Sequence, residues 1–428
     1  MEHNIANVKE ILKLISKDYY GVNFYDEQEL TAVEQVIKNK SPFRYYGNHL
    51  TYETKKFEDT CAKYFDVKFA HAVNSATGGL SCALHALDIG IGDEVIVPGY
   101  FWISIINVCL LHGAIPVLCE IDESLNMDPN DLEQKISTRT KGVIVAHMDG
   151  EPAQIDKIRE ICRRNHLKLI EDFSQCIGGQ VGMKKVGAYG DISVASMQIN
   201  KLITAGEGGL VLTNSELLYK KIMARADFGI PRLEDDNEEV QLLTFGEGRR
   251  CSELAAAVLN SQIKKIPKIL EEQWRTKEYI QHELKNIAPI KYRKVNEGAV
   301  GIATTLFLIF PSKQDTDRFM KIKEATFPLN EINIYRLHEF GYHVYYRCSN
   351  LVNKVEALPG GFPWKWVDEK KYHYTKGTLS MTDSILERTV GLKLPAKLSD
   401  AQKEAIAFGL NYLIAFFLKD NKFPINIY

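Results

Sequence analysis

Residues 167–209 read LKLIEDFSQCIGGQVGMKKVGAYGDISVASMQINKLITAGEGG, and this stretch decides the fold. Two short apolar runs, LKLIEDF and ISVASMQ, each end in a polar or small-residue loop. A run of this length bounded by turn signals reads as a strand covered on both faces. Working outward, the same pattern recurs upstream in KFAHAVN, DEVIVP, IPVLCEID and GVIVAHM, and downstream in GLVLTN. Helical periodicity lies between these runs, at Leu80 to Leu87, Ile103 to His112 and Ile155 to Asn165. Strands that alternate with helices predict an α/β fold with a mostly parallel sheet flanked by helices. In such sheets ligands bind beyond the carboxyl ends of the strands. Functional residues are therefore expected in strand-end loops.

The chain has 428 residues, room for roughly two to three domain units. The pattern predicts an N-terminal helical segment over 1–40, a large α/β domain over 41–250, bridging helices over 251–287 and a smaller C-terminal α+β domain over 288–428. The bridge rests on the helical spacing of Leu254, Val258, Leu259, Ile263 and Ile266. The last part carries the strand TLFLIF, a helix from Asp315 to Lys323 and a terminal helix from Ser399 to Leu418. Lys354 to Tyr374, rich in Pro, Gly and aromatics, reads as a long loop.

Hydrophobic residues make up 45% and charged residues 25%, the values of a folded globular protein. With 53 basic against 55 acidic side chains and a formal charge of -2, no global positive field draws in nucleic acid or an anionic membrane. Apolar stretches fall well short of the roughly 20 residues a bilayer span needs. The first residues lack the pattern of a signal peptide, so a cytoplasmic location is expected. The eight cysteines are scattered singly and read as buried hydrophobes rather than a disulfide framework or a zinc site; no metal is expected.

Three strand-end loops carry chemistry. Asn74-Ser75-Ala76-Thr77-Gly78-Gly79 opens a helix with small residues, where free N–H groups, the helix dipole and the hydroxyls of Ser75 and Thr77 suit a phosphate; a plain strand-to-helix turn has the same look. Glu171-Asp172 places a carboxylate pair where it can hold a protonated pyridine nitrogen, or serve as a cap. Lys201 follows a strand beside a glycine-rich turn, where desolvation lowers its pKa and makes it a nucleophile toward carbonyls, or where it is a surface lysine. The order of all three, together with the aromatic Trp102 after DEVIVPGY, changes the reading. Phosphate cradle, stacking aromatic, pyridine-nitrogen carboxylate and Schiff-base lysine are the parts of a pyridoxal phosphate enzyme.

On these motifs the chain resembles the DegT/DnrJ/EryC1/StrS family of pyridoxal 5'-phosphate (PLP)-dependent sugar aminotransferases, which has the type I, aspartate aminotransferase-like fold. The resemblance implies phosphate contacts from Ser75, Ala76, Thr77 and Ser196, ring stacking by Trp102, and Asp172 on the pyridine nitrogen. It places Gln175 near the phenolic oxygen. Lys201 becomes both the covalent anchor and the general acid/base, so Lys201 and Asp172 are the expected catalytic residues. Two positions depart from the family pattern: Ala76 stands where glycine is usual, and Gly248 stands where a neighbouring subunit usually offers an asparagine to the phosphate.

The resemblance further implies a PLP cofactor, glutamate or glutamine as amino donor, and a keto-sugar or sugar-like acceptor: a nucleotide-linked keto-hexose, a keto-octulosonate or a keto-cyclitol. It also implies a homodimer with shared active sites, serving amino-sugar biosynthesis. Family dehydratases carry histidine in place of the lysine, so Lys201 argues against that branch. A non-catalytic cofactor-binding regulator has no need of Lys201 and Asp172 together.

Other residues are open to two readings. His147 is either a cofactor contact or a structural group. Arg44, Tyr45 and Tyr46 either reach a polar substrate or pack. Tyr345, Tyr346, Arg347 and the GGFPWKW loop are expected to shape the acceptor site, where an arginine suits a carboxylate or phosphate.

Overall fold

The computed structural model describes residues 10–12, 20–230, 232, 244–284, 287–326 and 332–419. All seven apolar runs become strands of one sheet: β1 (Phe69–Val73), β2 (Glu94–Pro98), β3 (Ile115–Cys119), β4 (Thr140–Ala146), β5 (Lys168–Asp172), β6 (Ile192–Ser196) and β7 (Gly209–Thr213). Their order is β1-β7-β6-β5-β4-β2-β3. The pairs from β3 to β6 are parallel, while β7 runs antiparallel to both β1 and β6. Every residue of β2 and β7 is buried, as expected of strands covered on both faces.

Helix α1 (Glu27–Lys38) opens with a capping box from Asp26 and Glu29, which satisfies two end donors at once. Helix α2 (Ala76–Ala86) begins earlier than its apolar periodicity, because Ser75 caps it by accepting from Gly78 N. The small first turn, Ala-Thr-Gly-Gly, carries no apolar signal. Helix α3 (Ser104–Leu111) follows β2. The bridge is a single helix, α4 (Glu253–Glu283), that continues through Pro267; the buried Ile263, Ile266 and Ile269 pack into the core on that face and carry it past the missing N–H.

A second, antiparallel sheet orders as β8-β9-β11-β10, from β8 (Lys291–Tyr292), β9 (Thr305–Ile309), β10 (Ile334–Arg336) and β11 (Thr389–Lys393). Helices α5 (Lys313–Ala325) and α6 (Asp400–Leu418) cover it through Phe310, Phe319 and Phe417. Much of the expected N-terminal helical segment lies outside the described residues.

The aromatic segment from Tyr345 to Tyr374 packs against the large sheet. Leu351, Trp364, Tyr372 and Tyr374 share a core with Val95 of β2 and Ile115 of β3. Tyr374 Oη donates to Pro116 O at 2.8 Å, and Tyr372 Oη to Glu94 Oε1 at 2.8 Å. Among the described residues no helix is long and apolar enough to cross a membrane. All eight cysteines are buried thiols.

Candidate active site

A cavity of about 1130 Å³ opens at the carboxyl ends of β1, β2, β4, β5 and β6, and the second sheet supplies its far wall through Thr305, Leu392 and Lys393. Parallel strands that end together leave their following loops facing one space. Ser75, Ala76, Thr77, Trp102, Asp172, Gln175, Ser196 and Lys201 all line it.

At one end lies the first turn of α2. Its leading N–H groups have no partner inside the helix, and Thr77 is exposed to the cavity. Ala76 opens the helix without a positive φ, so glycine is not required there. The turn is seated on β7 by glycine: a Cβ on Gly209 would stand 2.4 Å from Ser75 C and 2.5 Å from Ser75 O. Ser196, ending β6, donates its N–H to Ser174 Oγ at 3.0 Å and accepts from Gln198 N at 3.3 Å. The segment with Gly248 runs beside this turn in the same chain, where Asn74 N donates to Arg249 O at 2.8 Å; Gly248 brings no side chain there.

The adjacent carboxylates of β5 are separated by the two-residue period of a strand. Asp172 faces the cavity, with Oδ1 accepting from Ser174 N at 3.0 Å. Glu171 points to the other face and is fully buried, so it is not a member of a catalytic pair. It accepts from His147 Nε2 (3.0 Å), the N–H groups of Gly187 (2.6 Å), Tyr189 (2.8 Å) and Gly190 (3.0 Å), and Ser193 Oγ (2.9 Å). Burial opposes its charge, but these donors, His147 first, hold its pKa below the ordinary value. His147 Nδ1 accepts from Ala153 N at 2.9 Å. Both ring nitrogens of His147 are thus engaged in structural bonds, and the residue also lines the cavity.

Lys201 sits at the tip of the β6–β7 connection, which closes through Met197 N to Gly208 O and Ile199 N to Gly206 O. Among the described residues its ammonium has no hydrogen-bond or ion-pair partner. Burial lowers its pKa, while Asp172 and Asp149 raise it and Lys393 lowers it, with a net downward result. A less basic, unpartnered amine is a better nucleophile at neutral pH.

The structure adds residues that sequence spacing did not reveal. Asp149, after β4, lines the cavity and accepts from Tyr100 Oη at 2.6 Å; its N–H donates to Gln175 Oε1 at 2.9 Å. His343 crosses from the C-terminal half and sets its ring 4.9 Å from Trp102 and 4.5 Å from Phe340. Burial pulls its pKa down to about 4, so it is neutral near pH 7. The HMDG run around Asp149 was readable as a strand end; nothing in the sequence pairs His343 with Trp102.

Other expectations do not reach the cavity. Arg44 is spent on buried Glu58, with Nη2 at 2.8 Å and 2.9 Å from its two oxygens. Tyr345 is buried and donates to Asp383 Oδ1 at 3.0 Å. Arg347 is exposed and lies outside the lining, as does the GGFPWKW loop.

The residues present fit PLP: a helix N-terminus and hydroxyls for the phosphate, Trp102 at the wall, a buried carboxylate for the ring nitrogen, and a confined amine. In sequence, the chain is 34% identical over 244 residues to the GDP-perosamine synthase of Vibrio cholerae, covering 57% of this chain and 65% of that protein. It is 34% identical over 249 residues to the L-glutamine:2-deoxy-scyllo-inosose aminotransferase of Streptoalloteichus tenebrarius, covering 55% and 58%. The matched part spans about half to two thirds of the length of such curated relatives. The solved aminotransferase from Psychrobacter cryohalolentis superposes with a TM-score of 0.78 over 95% of this chain and 100% of that one, at 23% identity, which shows a shared type I fold. The model of the DegT/DnrJ/EryC1/StrS aminotransferase family matches residues 24–343. That match covers most of the chain, and the chain belongs to this family.

Proposed function

We propose that the protein is a PLP-dependent aminotransferase that moves an amino group from glutamate or glutamine to a keto-sugar or sugar-like ketone in amino-sugar biosynthesis. The observation that carries this reading is the convergence of Lys201, Asp172, Gln175, Ser196, Trp102 and the Ser75–Thr77 turn on one cavity. PLP, when bound, supplies an electron sink for the carbanion formed beside the amine. The chain's own residues bind and orient it. The α2 turn and Ser196 would hold its phosphate, Trp102 would restrain the ring, Gln175 would stand near the phenolic oxygen, and Asp172 would keep the ring nitrogen protonated. Lys201 would anchor the cofactor, and its side-chain nitrogen would serve as the general acid/base that holds or moves a proton at the reacting carbon.

In this reading residues 41–250 form the cofactor domain, 251–287 the bridge and 288–428 the small domain, and the enzyme is a cytoplasmic homodimer with shared active sites. The nucleotide-linked hexose, octulosonate and cyclitol remain the acceptor classes. The relatives named above, one a GDP-perosamine synthase and one acting on 2-deoxy-scyllo-inosose, support a sugar or cyclitol ketone.

The test is a visible absorbance spectrum of the PLP-loaded protein before and after adding glutamate, beside Lys201→Ala. The expected result is a yellow band that fades with glutamate in wild type only, with transamination reduced at least about 1000-fold in the variant. A wild-type protein that stays colourless after PLP is added would favour a non-catalytic regulator.

A further inference from the structure

Glutamate and glutamine both carry a carboxylate, and the nucleotide-linked hexose and the octulosonate carry a phosphate or a carboxylate as well. Such an oxyanion needs a cationic partner inside the cavity. Arg347, the arginine expected there, lies outside the lining. Among the described residues three lysines line it: Lys201, Lys323 and Lys393. Lys201 is the anchor in the proposed function. Lys323 stands in the last turn of α5, where a cation offsets the carbonyls at a helix's C-terminal end. Lys393 has no such duty, and among the described residues its ammonium makes no hydrogen bond or ion pair.

The fold nevertheless holds Lys393 in place. It ends β11 as the register partner of Thr305 on β9; cross-strand partners share a face of the sheet, and both residues line the cavity. The ammonium lies 4.9 Å from the centre of the Phe340 ring, a contact that restrains a long side chain without neutralising it. Phe340 stacks on His343 at 4.5 Å and 22°, and His343 stands 4.9 Å from Trp102. A continuous row of contacts thus runs along the cavity wall from Trp102 to the ammonium. His343 is neutral near pH 7, so Lys393 is the charge of this row.

This inference rests on the proposed function and deepens it. We propose that Lys393 is an anion-recognising residue on the substrate side of the cavity, its ammonium binding a carboxylate or phosphate oxygen of the donor or the acceptor. An unpaired ammonium gives up no ion pair when an oxyanion docks, and hydrogen bonds between charged groups are the strong ones. Its field reaches the reacting end of the cavity, where it opposes protonation of Lys201 and of His343.

The experiment measures the affinity of PLP-loaded wild type, Lys393→Gln and Lys393→Arg for three anions. Glutamate is read by the fading of the visible band. GDP and gluconate, phosphate and carboxylate mimics of the acceptor, are read by calorimetry. Lys393 is exposed at the end of its strand, so its replacement leaves the core intact. Lys393→Gln should weaken at least one anion by about tenfold or more, with a shallower salt dependence than wild type. Lys393→Arg should stay within about threefold of wild type, because the charge remains. A loss for glutamate alone makes the donor carboxylate the ligand; a loss for GDP or gluconate alone makes it the acceptor's anion; losses in both arms make the position shared. Affinities equal to wild type for all three anions in Lys393→Gln would overturn the inference while leaving the aminotransferase reading intact. A Lys393→Arg loss as large as that of Lys393→Gln would overturn it too. A wild-type protein that takes up no PLP defeats the proposed function and this inference together.

Discussion

Glu171 and Asp172 share a strand end and a chemistry, yet only one faces the cavity. The sequence makes them look like a pair; the pleat sends Glu171 into a nest of five donors behind the site. Removing it orphans those donors at about 1–3 kcal/mol each where water cannot reach. Glu171→Ala should then lose on the order of 5 kcal/mol, much of the stability of an ordinary domain. Urea unfolding checks this, and a midpoint close to wild type would contradict the role. Glu58 makes a separate prediction. Burial raises its pKa, but Arg44, His71 and the Ala72 N–H outweigh that and bring it from 4.5 to about 2. A depressed acid stabilises the fold above its unfolded pKa and loses that contribution as pH falls through the folded value. The window is therefore about pH 4.5 to 2, worth roughly 3 kcal/mol. Glu58→Gln should flatten the acid limb of a stability–pH curve across that window; an unchanged slope would remove Glu58 from acid sensitivity.

The β6–β7 hairpin does at element scale what no single residue does. It presents Lys201 at its tip and, at its base, brings Gly209 against the turn that starts α2. The same connection thus carries Lys201 and seats the Ser75–Thr77 turn of α2. Gly209→Ala would force a methyl group to within 2.4 Å of Ser75 C, so the turn must move. We expect PLP to bind at least about tenfold more weakly, a cost of about 1.4 kcal/mol, with the band of Lys201-bound cofactor still forming at saturation. Titration of the visible band reads both. The elements here were legible because β-branched runs and small-residue loops are local signals. The start of α2 was legible through that small-residue loop and not through apolar spacing, which begins only at Leu80, because its first turn is set by the Ser75 cap.

Across the whole molecule, legibility falls with sequence distance. The seven strands declared themselves, whereas the aromatic segment from Tyr345 to Tyr374 reads as a loop because its anchors are remote: Tyr372 reaches Glu94 across 278 positions and Tyr374 reaches Pro116 across 258. His343 was illegible for the same reason. This segment binds the C-terminal half to the β2–β3 edge of the large sheet. Tyr374→Ala should cost about 3–5 kcal/mol and expose 354–374 to limited proteolysis; equal digestion of variant and wild type would mean the strap is held elsewhere. The proposed homodimer predicts twice the chain mass by light scattering, and an active monomer would contradict it.

The placement of β7 between β1 and β6 also bears on how the chain is made. Among the described residues β1 pairs as a strand with β7, synthesised about 140 residues later, and otherwise makes a single bridge from Val73 to Arg250, later still. At roughly 5–20 residues per second, β1 leaves the ribosome with an unpaired edge for some seconds to half a minute. The Ser75–Thr77 turn, which β7 supports through Gly209, is without its seat for the same interval. An early part of the cavity lining is thus among the last to be completed, and a nascent chain stalled before residue 209 would hold the Ser75–Thr77 turn without its support.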